Sequence, residues 1–303
     1  MCRYENDKEW GNADLNNFEI FTDTGCDIVP EKLDEWNVRC IDLLFRDVKT
    51  EQVYTQREMP VDVFYQKMKD GDTFKTSAAN MDDFIKSFEP ILQEGKDILY
   101  VGFSSALSGT VNTGAIVANE LMEKHPDRKI IVVDTLCASA GLGMFVYMAV
   151  LKREKGESME DIAAYIRENV PYLGHWFTVG DLVYLKRSGR CSKAAAFMGS
   201  MLNLKPLLHV DEEGHLVPTV NVRGRKKSIA AVVDKYFELA RDPEHGMYFI
   251  CNGDCREDAQ KLEEMIMARN GGKKADLITD IGPVIGSHSG PGTLAVFFLG
   301  KHR

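Results

Sequence analysis

The sequence of 303 residues lacks the long apolar run that a membrane-spanning helix needs, and it lacks an excess of positive charge. Its formal net charge of −9 argues against broad nucleic-acid binding, because that activity requires a basic surface. Residues 1–20 are polar and acidic, whereas a signal peptide has a basic end and an apolar core. These absences predict a cytoplasmic globular protein with no nucleic-acid partner and no integral membrane segment.

Paired cysteines and clustered histidines are also missing. The seven cysteines are odd in number and scattered, which predicts free thiols and not a disulfide framework. Cys251 and Cys255, the closest pair, are spaced one residue more widely than the usual CxxC pair. The seven histidines are dispersed and form no HExxH cluster. The sequence therefore predicts no metal site.

Strand and helix patterns alternate from Phe18 to about residue 150, which predicts an α/β domain with a doubly wound, mostly parallel sheet. The apolar runs Ile98–Phe103 and Ile130–Val133 are typical of parallel strands covered on both faces. We also expect a strand over Val38–Phe45. A helix should follow the Thr/Ser/Asn-rich segment at 76–80 and end near Gln93.

The pattern changes after Pro171, the candidate linker between two domains. Two apolar segments flank the DEEG turn at 211–214, and so short a connection predicts an antiparallel hairpin. The second domain should be α+β with a mixed sheet. The predicted organisation is an N-terminal extension (1–17), an N-terminal α/β domain (18–168) and a C-terminal α+β domain (169–303).

The most informative segment is the loop FSSALSGT, Phe103 to Thr110, between a buried strand and a helix. It places Ser104, Ser105 and free backbone N–H groups at the carboxyl end of a strand, where an open α/β sheet binds ligands and a helix start favours an anion. The loop lacks the Lys and the glycine spacing of a P-loop, so it suits a carboxylate better than a nucleotide phosphate. Gly141 and Gly143 lie in a helix-like run and lack the third glycine of a dinucleotide fingerprint, so no cofactor is predicted.

Three other segments have both a structural and a functional interpretation. Thr76 and Ser77 precede a predicted helix, either as an N-cap or as a second anion-facing helix start. His288 lies in the tight turn GSHSGPG, either incidentally or as a donor to an anionic head group. Arg190 and Arg223 belong to the basic segments RSGRCSK and RGRKK, which are either solvated turns or a docking patch for an acidic or phosphate-carrying partner.

These residues could bind a carboxylate without reacting with it, or they could belong to an enzyme, a serine-dependent acyl hydrolase. GFSSA nearly matches the G-x-S-x-G nucleophile elbow, but Ala106 replaces the second glycine and the predicted helix does not begin at the serine. Such an enzyme would use Ser104 or Ser105 with His288 as the base, and the sequence indicates no third member of a triad. A non-catalytic carrier for an apolar carboxylate other than a fatty acid is a further possibility.

Several segments, in order from about residue 18 to the end, resemble the motifs of the DegV family of bacterial fatty-acid-binding proteins. FTDTGCDIVP resembles the family's TDSxADLP opening, KTSAAN its TSQPS segment, FSSALSGTVNTGAIVA its SSxLSGTYQSAxxA segment, IIVVDTLCASAGLG its VIDSxxxSxGxG segment, DLVYLKRSGRCSKAAAFMGSMLNLKPLL its LxYLxKGGRIS…LLxIKPIL segment, and GSHSGPGTLAVFFLG its closing HxGPG turn and strand. The chain departs from the pattern at Thr24, Gly25 and Cys26, and TSAAN lacks the Gln-Pro of TSQPS. These departures surround the expected head-group side, where ligand selectivity is decided.

The resemblance implies a two-domain α/β protein that encloses one long-chain fatty acid, with the carboxylate near the interdomain cleft and the acyl tail in an apolar tunnel. The carboxylate-binding residues carry over onto Thr76, Ser104 or Ser105, and His288. The partner-docking positions carry over onto Arg190 and Arg223. The helix predicted over 193–202 has apolar side chains that either belong to the ordinary core or line this tunnel, namely Phe197, Met198, Met201 and Leu202.

The resemblance also implies that the protein is not an enzyme. Its fatty acid would pass to a separate fatty acid kinase, which forms an acyl phosphate for phospholipid metabolism, so this chain would need neither a catalytic residue nor a cofactor. Burying about a dozen methylenes at roughly 0.8 kcal/mol each yields on the order of 10 kcal/mol before ordering costs. The apolar tail should therefore supply affinity, and the Thr/Ser/His cluster should supply selectivity.

Overall fold

A computed structural model of the protein describes residues 17–191 and 204–303. The strands in these ranges are β1 (Phe18–Asp23), β2 (Val38–Ile41), β3 (Leu44–Asp47), β4 (Val53–Tyr54), β5 (Phe74–Ser77), β6 (Asp97–Gly102), β7 (Ile130–Asp134), β8 (Leu173–Thr178), β9 (Leu204–Val210), β10 (Leu216–Arg223), β11 (Tyr248–Asn252), β12 (Leu277–Asp280) and β13 (Leu294–Leu299). The α-helices are α1 (Pro30–Glu35), α2 (Val61–Lys69), α3 (Met81–Gln93), α4 (Thr110–Lys124), α5 (Ala140–Glu154), α6 (Met159–Asn169), α7 (Val183–Ser188), α8 (Arg225–Leu239), α9 (Arg256–Met267) and α10 (Pro283–Ser289).

The first sheet is parallel, with strand order β2-β1-β6-β7, and has helices on both faces. Alternate residues of β6 show why its apolar run is continuous. Ile98 and Tyr100 pack in one core with α3 and α4, whereas Leu99 and Val101 pack in another with α5 and α6. This double covering confirms the predicted doubly wound α/β architecture.

The second large sheet is mixed, with strand order β10-β9-β8-β13-β11-β12, as predicted for the C-terminal part of the chain. Strands β9 and β10 form the expected antiparallel hairpin around residues 211–215, and only the β11–β12 pair of this sheet is parallel. One face packs against α8 and α9. The other face contributes Phe177, Phe249 and Phe297 to the core that also contains α5.

Helix α5 lies between the two large sheets and contacts strands of both. Residues 140–146 are buried without interruption, which explains why this helix has almost no polar face. A side chain at Gly141 would overlap the His175 ring, and one at Gly143 would overlap Ile28. These glycines therefore let α5 approach its neighbours on both sides.

Two local predictions for residues 38–80 are wrong. The segment 38–45 is two strands in different sheets and not one, because the chain turns at Asp42 and Leu43, where the Leu43 N–H donates to Thr24 Oγ1 at 2.9 Å. Strand β3 then forms a small antiparallel sheet in the order β4-β3-β5. Ser77 and its neighbour Thr76 are in β5 and not at a helix start. The N-cap of α3 is Asn80, which exchanges side-chain-to-backbone hydrogen bonds with Asp83.

The small sheet, α2 and α10 share a core of their own that includes Phe45, Phe64, Phe74 and Val284. Helix α10 also packs against α7. His288 is in the last turn of this helix, so the expectation of a tight turn at that residue is wrong. The glycine-rich turn begins after it, at Gly290.

The strands of the parallel and small sheets all precede residue 135, and those of the mixed sheet all follow residue 172. The domain boundary at 168/169 stays a prediction. Extension residues 1–16 lie outside the described residues, as does the segment predicted to line the tunnel with Phe197, Met198, Met201 and Leu202. Within residues 17–191 and 204–303, no helix combines the length and the apolar character needed to cross a membrane.

Candidate functional site

A cavity of about 400 Å³ lies where the loop after β6, the end of β5, α10 and the inner face of the mixed sheet meet. This volume is within the range of small-molecule pockets, about 300–1,000 Å³. The walls are mainly apolar, with Leu43, Phe103, Leu107, Phe177, Leu185, Leu216, Val284, Ile285 and Phe297 among the lining residues. The cavity can therefore hold an extended apolar group without competing polar partners along most of its wall.

Thr76 and His288 meet at this cavity although 212 residues separate them in the chain. Strand β5 ends close to Thr76, and the last turn of α10 carries His288. Thr76 Oγ1 lies 2.7 Å from His288 Nε2, within hydrogen-bond distance. Among the described residues, nothing hydrogen-bonds His288 Nδ1, which is buried. The pair thus leaves one buried imidazole nitrogen without a hydrogen-bond partner in the described ranges.

His288 is neutral at physiological pH. Burial, followed by the nearby positive charge of Arg190, lowers the pKa of His288 to about 4. When the Thr76 hydroxyl donates to Nε2, the proton of the neutral ring resides on Nδ1, which is then a hydrogen-bond donor. A carboxylate accepts such a bond and favours this tautomer.

The two adjacent serines of the loop after β6 have different environments. Ser105 is half-buried and lines the cavity, and its backbone N–H donates to Asp134 Oδ1 at 3.2 Å. Ser104 is fully buried and lies outside the cavity lining. Its hydroxyl donates to the Gly214 carbonyl in the β9–β10 turn at 3.4 Å. The structure therefore brings Thr76, Ser105 and His288 to one cavity and directs Ser104 elsewhere.

The buried carboxyl group of Asp23 hydrogen-bonds the first residue of the loop that carries Ser104 and Ser105. Asp23 Oδ2 accepts hydrogen bonds from the Tyr100 hydroxyl at 2.7 Å and from the Phe103 N–H at 3.0 Å. Asp23 Oδ1 accepts the Gly25 N–H at 3.0 Å. Burial raises the pKa of Asp23 to about 6, and these three hydrogen bonds oppose that rise. The loop that carries Ser105 is thus fixed at its first residue.

Sequence reasoning missed a second buried carboxyl group, Asp27. It is 1% exposed and hydrogen-bonds Ser139 and the backbone of Gly282, two segments far from it in the chain. Ser139 and the adjacent Cys251 both line the cavity. The signal in the sequence is an acidic residue between apolar neighbours in TDTGCDIVP, which is too common a feature to identify the site alone.

The two arginines singled out in the sequence occupy different places. Arg190 is exposed directly after α7, contributes to the cavity lining, and donates to the Ser188 carbonyl at 2.8 Å. Arg223 ends β10, the edge strand of the mixed sheet, and is exposed outside the cavity lining. Their roles in docking stay predictions.

The geometry does not favour the hydrolase alternative. In the described part of the chain, neither Ser104 nor Ser105 hydrogen-bonds His288, whose Nε2 lies against Thr76, and no carboxylate forms a hydrogen bond or ion pair with His288. A nucleophilic serine needs a base within hydrogen-bond reach and a third group that orients the base.

One exposed group could hold a metal ion by its geometry. Asp211, Glu213 and His215, in the β9–β10 turn, place ligand atoms within 4.8 Å of one another. Asp211 Oδ1 already accepts the backbone N–H groups of Glu213 and His215, at 3.2 and 2.8 Å. These bonds explain the cluster as a turn, and the absence of a metal site stays a prediction.

Over residues 17–301 the chain matches the model of a family described as uncharacterised proteins of the DegV family. The chain belongs to the DegV family. A DegV domain-containing protein from Clostridium perfringens (strain 13 / Type A) is 40% identical over 291 residues, which cover 95% of this chain and 99% of the relative.

Solved DegV structures share the fold. A DegV family protein from Thermus thermophilus, described by its fatty acid binding, superposes with a TM-score of 0.83 at 27% identity, covering 94% of this chain and 99% of that one. DegV from Bacillus subtilis, described as a fatty acid binding protein, superposes with a TM-score of 0.80 at 26% identity, again covering 94% and 99%.

The neutral state of His288 in this DegV chain can be measured by NMR of the ¹⁵N-labelled imidazole. Its pKa should lie near 4, and Arg190→Ala should raise it because the second cause of the depression is removed. Since an unfolded histidine titrates near 6.5, the contribution of His288 to stability should be complete above about pH 6.5 and decline as the pH falls towards 4. Arg223→Ala, a change outside the cavity, should leave the pKa unchanged. A wild-type pKa near 6.5 would contradict the burial of this ring.

Proposed function

We propose that this protein binds one long-chain fatty acid and presents it to a fatty acid kinase that forms the acyl phosphate. The carboxylate contacts Thr76, Ser105 and His288, and the acyl tail extends along the apolar cavity. The observation that carries the proposal is the Thr76–His288 pair, which lies with Ser105 on the wall of a mainly apolar cavity. The fatty-acid binding described for the Thermus thermophilus and Bacillus subtilis relatives supports it.

The head-group site recognises a carboxylate through neutral donors. The Ser105 hydroxyl and the Nδ1–H of His288 offer hydrogen bonds to the carboxylate, and the Thr76 hydroxyl keeps the proton on Nδ1 by donating to Nε2. Hydrogen bonds to a charged partner contribute about 1.5–3 kcal/mol each. Arg190 also lines the cavity, and it is exposed, so solvent screens its attraction for the ligand. A guest without a carboxylate leaves buried donors unpaired, and that penalty selects against esters and alcohols.

The acyl tail supplies most of the affinity. Each methylene buried against apolar residues such as Phe177 and Phe297 contributes about 0.8 kcal/mol. Loss of ligand freedom reduces the total. We propose that Phe197, Met198, Met201 and Leu202 extend this apolar lining, because methionine packs well against flexible chains.

The protein acts without a catalytic residue in this proposal, and the kinase supplies the chemistry. Arg190, beside the cavity, and Arg223, at the sheet edge, supply positive charge for docking. Both are exposed, and neither forms an ion pair with any residue in the described ranges. Exposed arginines without acidic partners suit an acidic surface or a phosphate group on another protein.

The direct test is mass spectrometry of an organic extract from the denatured, purified protein. We expect one long-chain fatty acid at about one equivalent per chain. Protein stripped of lipid should then take up oleate and bind methyl oleate much more weakly, because the ester has no anionic head group. Failure of the stripped, folded protein to take up oleate would overturn the proposed function.

The two adjacent serines provide a matched pair of variants. Ser105→Ala should weaken oleate binding by about tenfold to a hundredfold, because it removes a hydrogen bond to a charged group. Thr76→Val should also weaken oleate binding, because it removes the hydrogen bond that keeps the His288 proton on Nδ1. Ser104→Ala should change oleate affinity by less than about threefold, since this hydroxyl faces Gly214.

The same variants separate a carrier from a hydrolase. The wild-type protein should not turn over an activated acyl ester such as p-nitrophenyl palmitate. Hydrolysis that one serine variant abolishes while the other retains it would contradict the carrier function.

Arginine variants test the docking surface. Arg223→Ala should leave oleate affinity unchanged and weaken kinase-dependent formation of acyl phosphate. Arg190→Ala should weaken the same step when assayed at saturating oleate, a condition that removes any effect on lipid binding. Arg269→Ala, which removes an exposed arginine paired with Asp234, is the control and should retain wild-type activity with the kinase. Wild-type activity in both test variants would rule out this docking surface.

A further inference from the structure

Asp27 connects three segments that are distant in sequence. It lies after β1 in the left-handed backbone conformation, with φ of 52°. Its Oδ1 accepts the Gly282 N–H at 2.9 Å, its Oδ2 accepts the Ser139 hydroxyl at 2.5 Å, and its carbonyl oxygen accepts the Thr279 hydroxyl at 2.8 Å. Gly282 is the residue before α10, so Asp27 fixes the start of the helix that carries His288.

The Asp27 carboxyl group is one side chain behind the cavity wall. Ser139 Oγ lies 3.3 Å from Cys251 Sγ, and both residues line the cavity. Ile281, next to Gly282, also lines it. A change in the charge of Asp27 therefore changes the electrostatic potential inside the cavity, because the buried groups between them screen charge weakly.

No cation compensates a negative charge on Asp27 in the described part of the chain. The titratable groups that interact electrostatically with it are Asp280 at the end of β12, Tyr65 on α2 and Cys251 on β11. Asp280 is acidic, and the pKa values of Tyr65 and Cys251 are raised, so both stay neutral. His288 is also neutral.

The charge state of Asp27 follows from these surroundings. Burial, with a further contribution from Asp280, raises the pKa of Asp27 to about 8, and the Ser139 and Gly282 hydrogen bonds only partly oppose the rise. A protonated carboxyl group can also donate to the Ser139 oxygen, which leaves the Ser139 hydrogen for Cys251 Sγ. The neutral form therefore keeps its hydrogen-bonding groups satisfied.

We propose that Asp27 is a positioning residue for the fatty-acid site and that it holds a proton while the ligand is bound. This inference rests on the proposed function, since it requires an anionic guest. Ionised Asp27 would add a second buried negative charge near the ligand carboxylate and disturb the support of α10. Ligand binding and retention of the proton are therefore linked.

This linkage makes the apparent affinity for the fatty acid fall at high pH. Above about pH 8 the free protein releases the proton, and binding must take it up again, so apparent affinity falls by up to about tenfold per pH unit. Because an unfolded aspartate titrates near 3.9, the folded state holds the extra proton between about pH 4 and 8. The contribution of Asp27 to stability is therefore largest at low pH and declines as the pH rises across that window.

The experiment measures oleate affinity of the full chain between pH 6.5 and 9.5. Asp27→Asn is a neutral isostere that keeps an acceptor for Gly282, and asparagine tolerates the left-handed conformation. Asp254→Asn is the matched control, because Asp254 also has a left-handed backbone, with φ of 55°, but is exposed outside the cavity lining. We expect affinity to fall above about pH 8 in the wild type and the control, and to stay flat in Asp27→Asn.

A second variant keeps the test decisive if Asp27→Asn does not fold. Asp280→Asn removes one acidic neighbour, so the loss of affinity should move to lower pH. Equal pH slopes in wild type and folded Asp27→Asn, or an unmoved midpoint in Asp280→Asn, would overturn the inference while leaving oleate binding intact. Absence of oleate binding by the folded wild type at every pH would instead overturn the proposed function.

Discussion

The burial of two carboxyl groups in one turn is the constraint on which the site depends. Asp23 and Asp27 are four residues apart, and neither has a cationic partner among the described residues. Each is instead satisfied by hydrogen bonds from distant segments, because a buried polar group without partners costs about 1–3 kcal/mol or more. Asp23 thereby fixes the serine loop, and Asp27 fixes the helix of His288. The turn between them aligns two sides of one cavity.

Helix α5 provides the second requirement, which is close approach of the two large sheets. It contacts strands of both sheets, and its glycines remove the side chains that would separate them. Its first residues follow Ser139, which also has a left-handed backbone with φ of 57°. Non-glycine residues adopt this conformation at a cost, which the hydrogen bond to Asp27 helps to offset. The residues before α5, Ala138 and Ser139, line the cavity together with Phe177 and Phe297 of the mixed sheet. The packing of α5 against that sheet therefore shapes one side of the cavity.

The fold follows from the sequence wherever local pattern and tertiary environment agree. The apolar runs at 98–103 and 130–133 are strands of the parallel sheet, and the DEEG turn closes a hairpin. The two strands within segment 38–45 could not be predicted, because its apolar residues continue through the change of sheet. That change is set by tertiary contacts, among them the hydrogen bond from Leu43 to Thr24. Periodicity reports which residues are buried and does not report which sheet buries them.

The candidate site was predictable in part for the same reason. The loop at 103–110 has the composition and position of a ligand-binding loop, whereas the difference between Ser104 and Ser105 depends on the β9–β10 turn that covers one of them. The Thr76–His288 contact joins residues 212 positions apart, so no local pattern contains it. Asp27 was missed because a single aspartate in a turn is usually solvated, and only the packing around it makes it buried.

The proposed binding mode depends on neutral groups at the head group, since residues 17–191 and 204–303 place no buried cation beside Thr76, Ser105 and His288. In this proposed mode, Ser105 and the neutral His288 oriented by Thr76 bind the carboxylate through dipoles, while the charge of Arg190 remains in solvent. A buried ion pair would demand desolvation of both charges and would leave a costly unpaired cation whenever the ligand departed. Neutral donors avoid that penalty, so the head group can leave without an uncompensated charge remaining behind. A protein that must pass its ligand to a partner needs this property, and the apolar tail can supply the affinity that the head group does not.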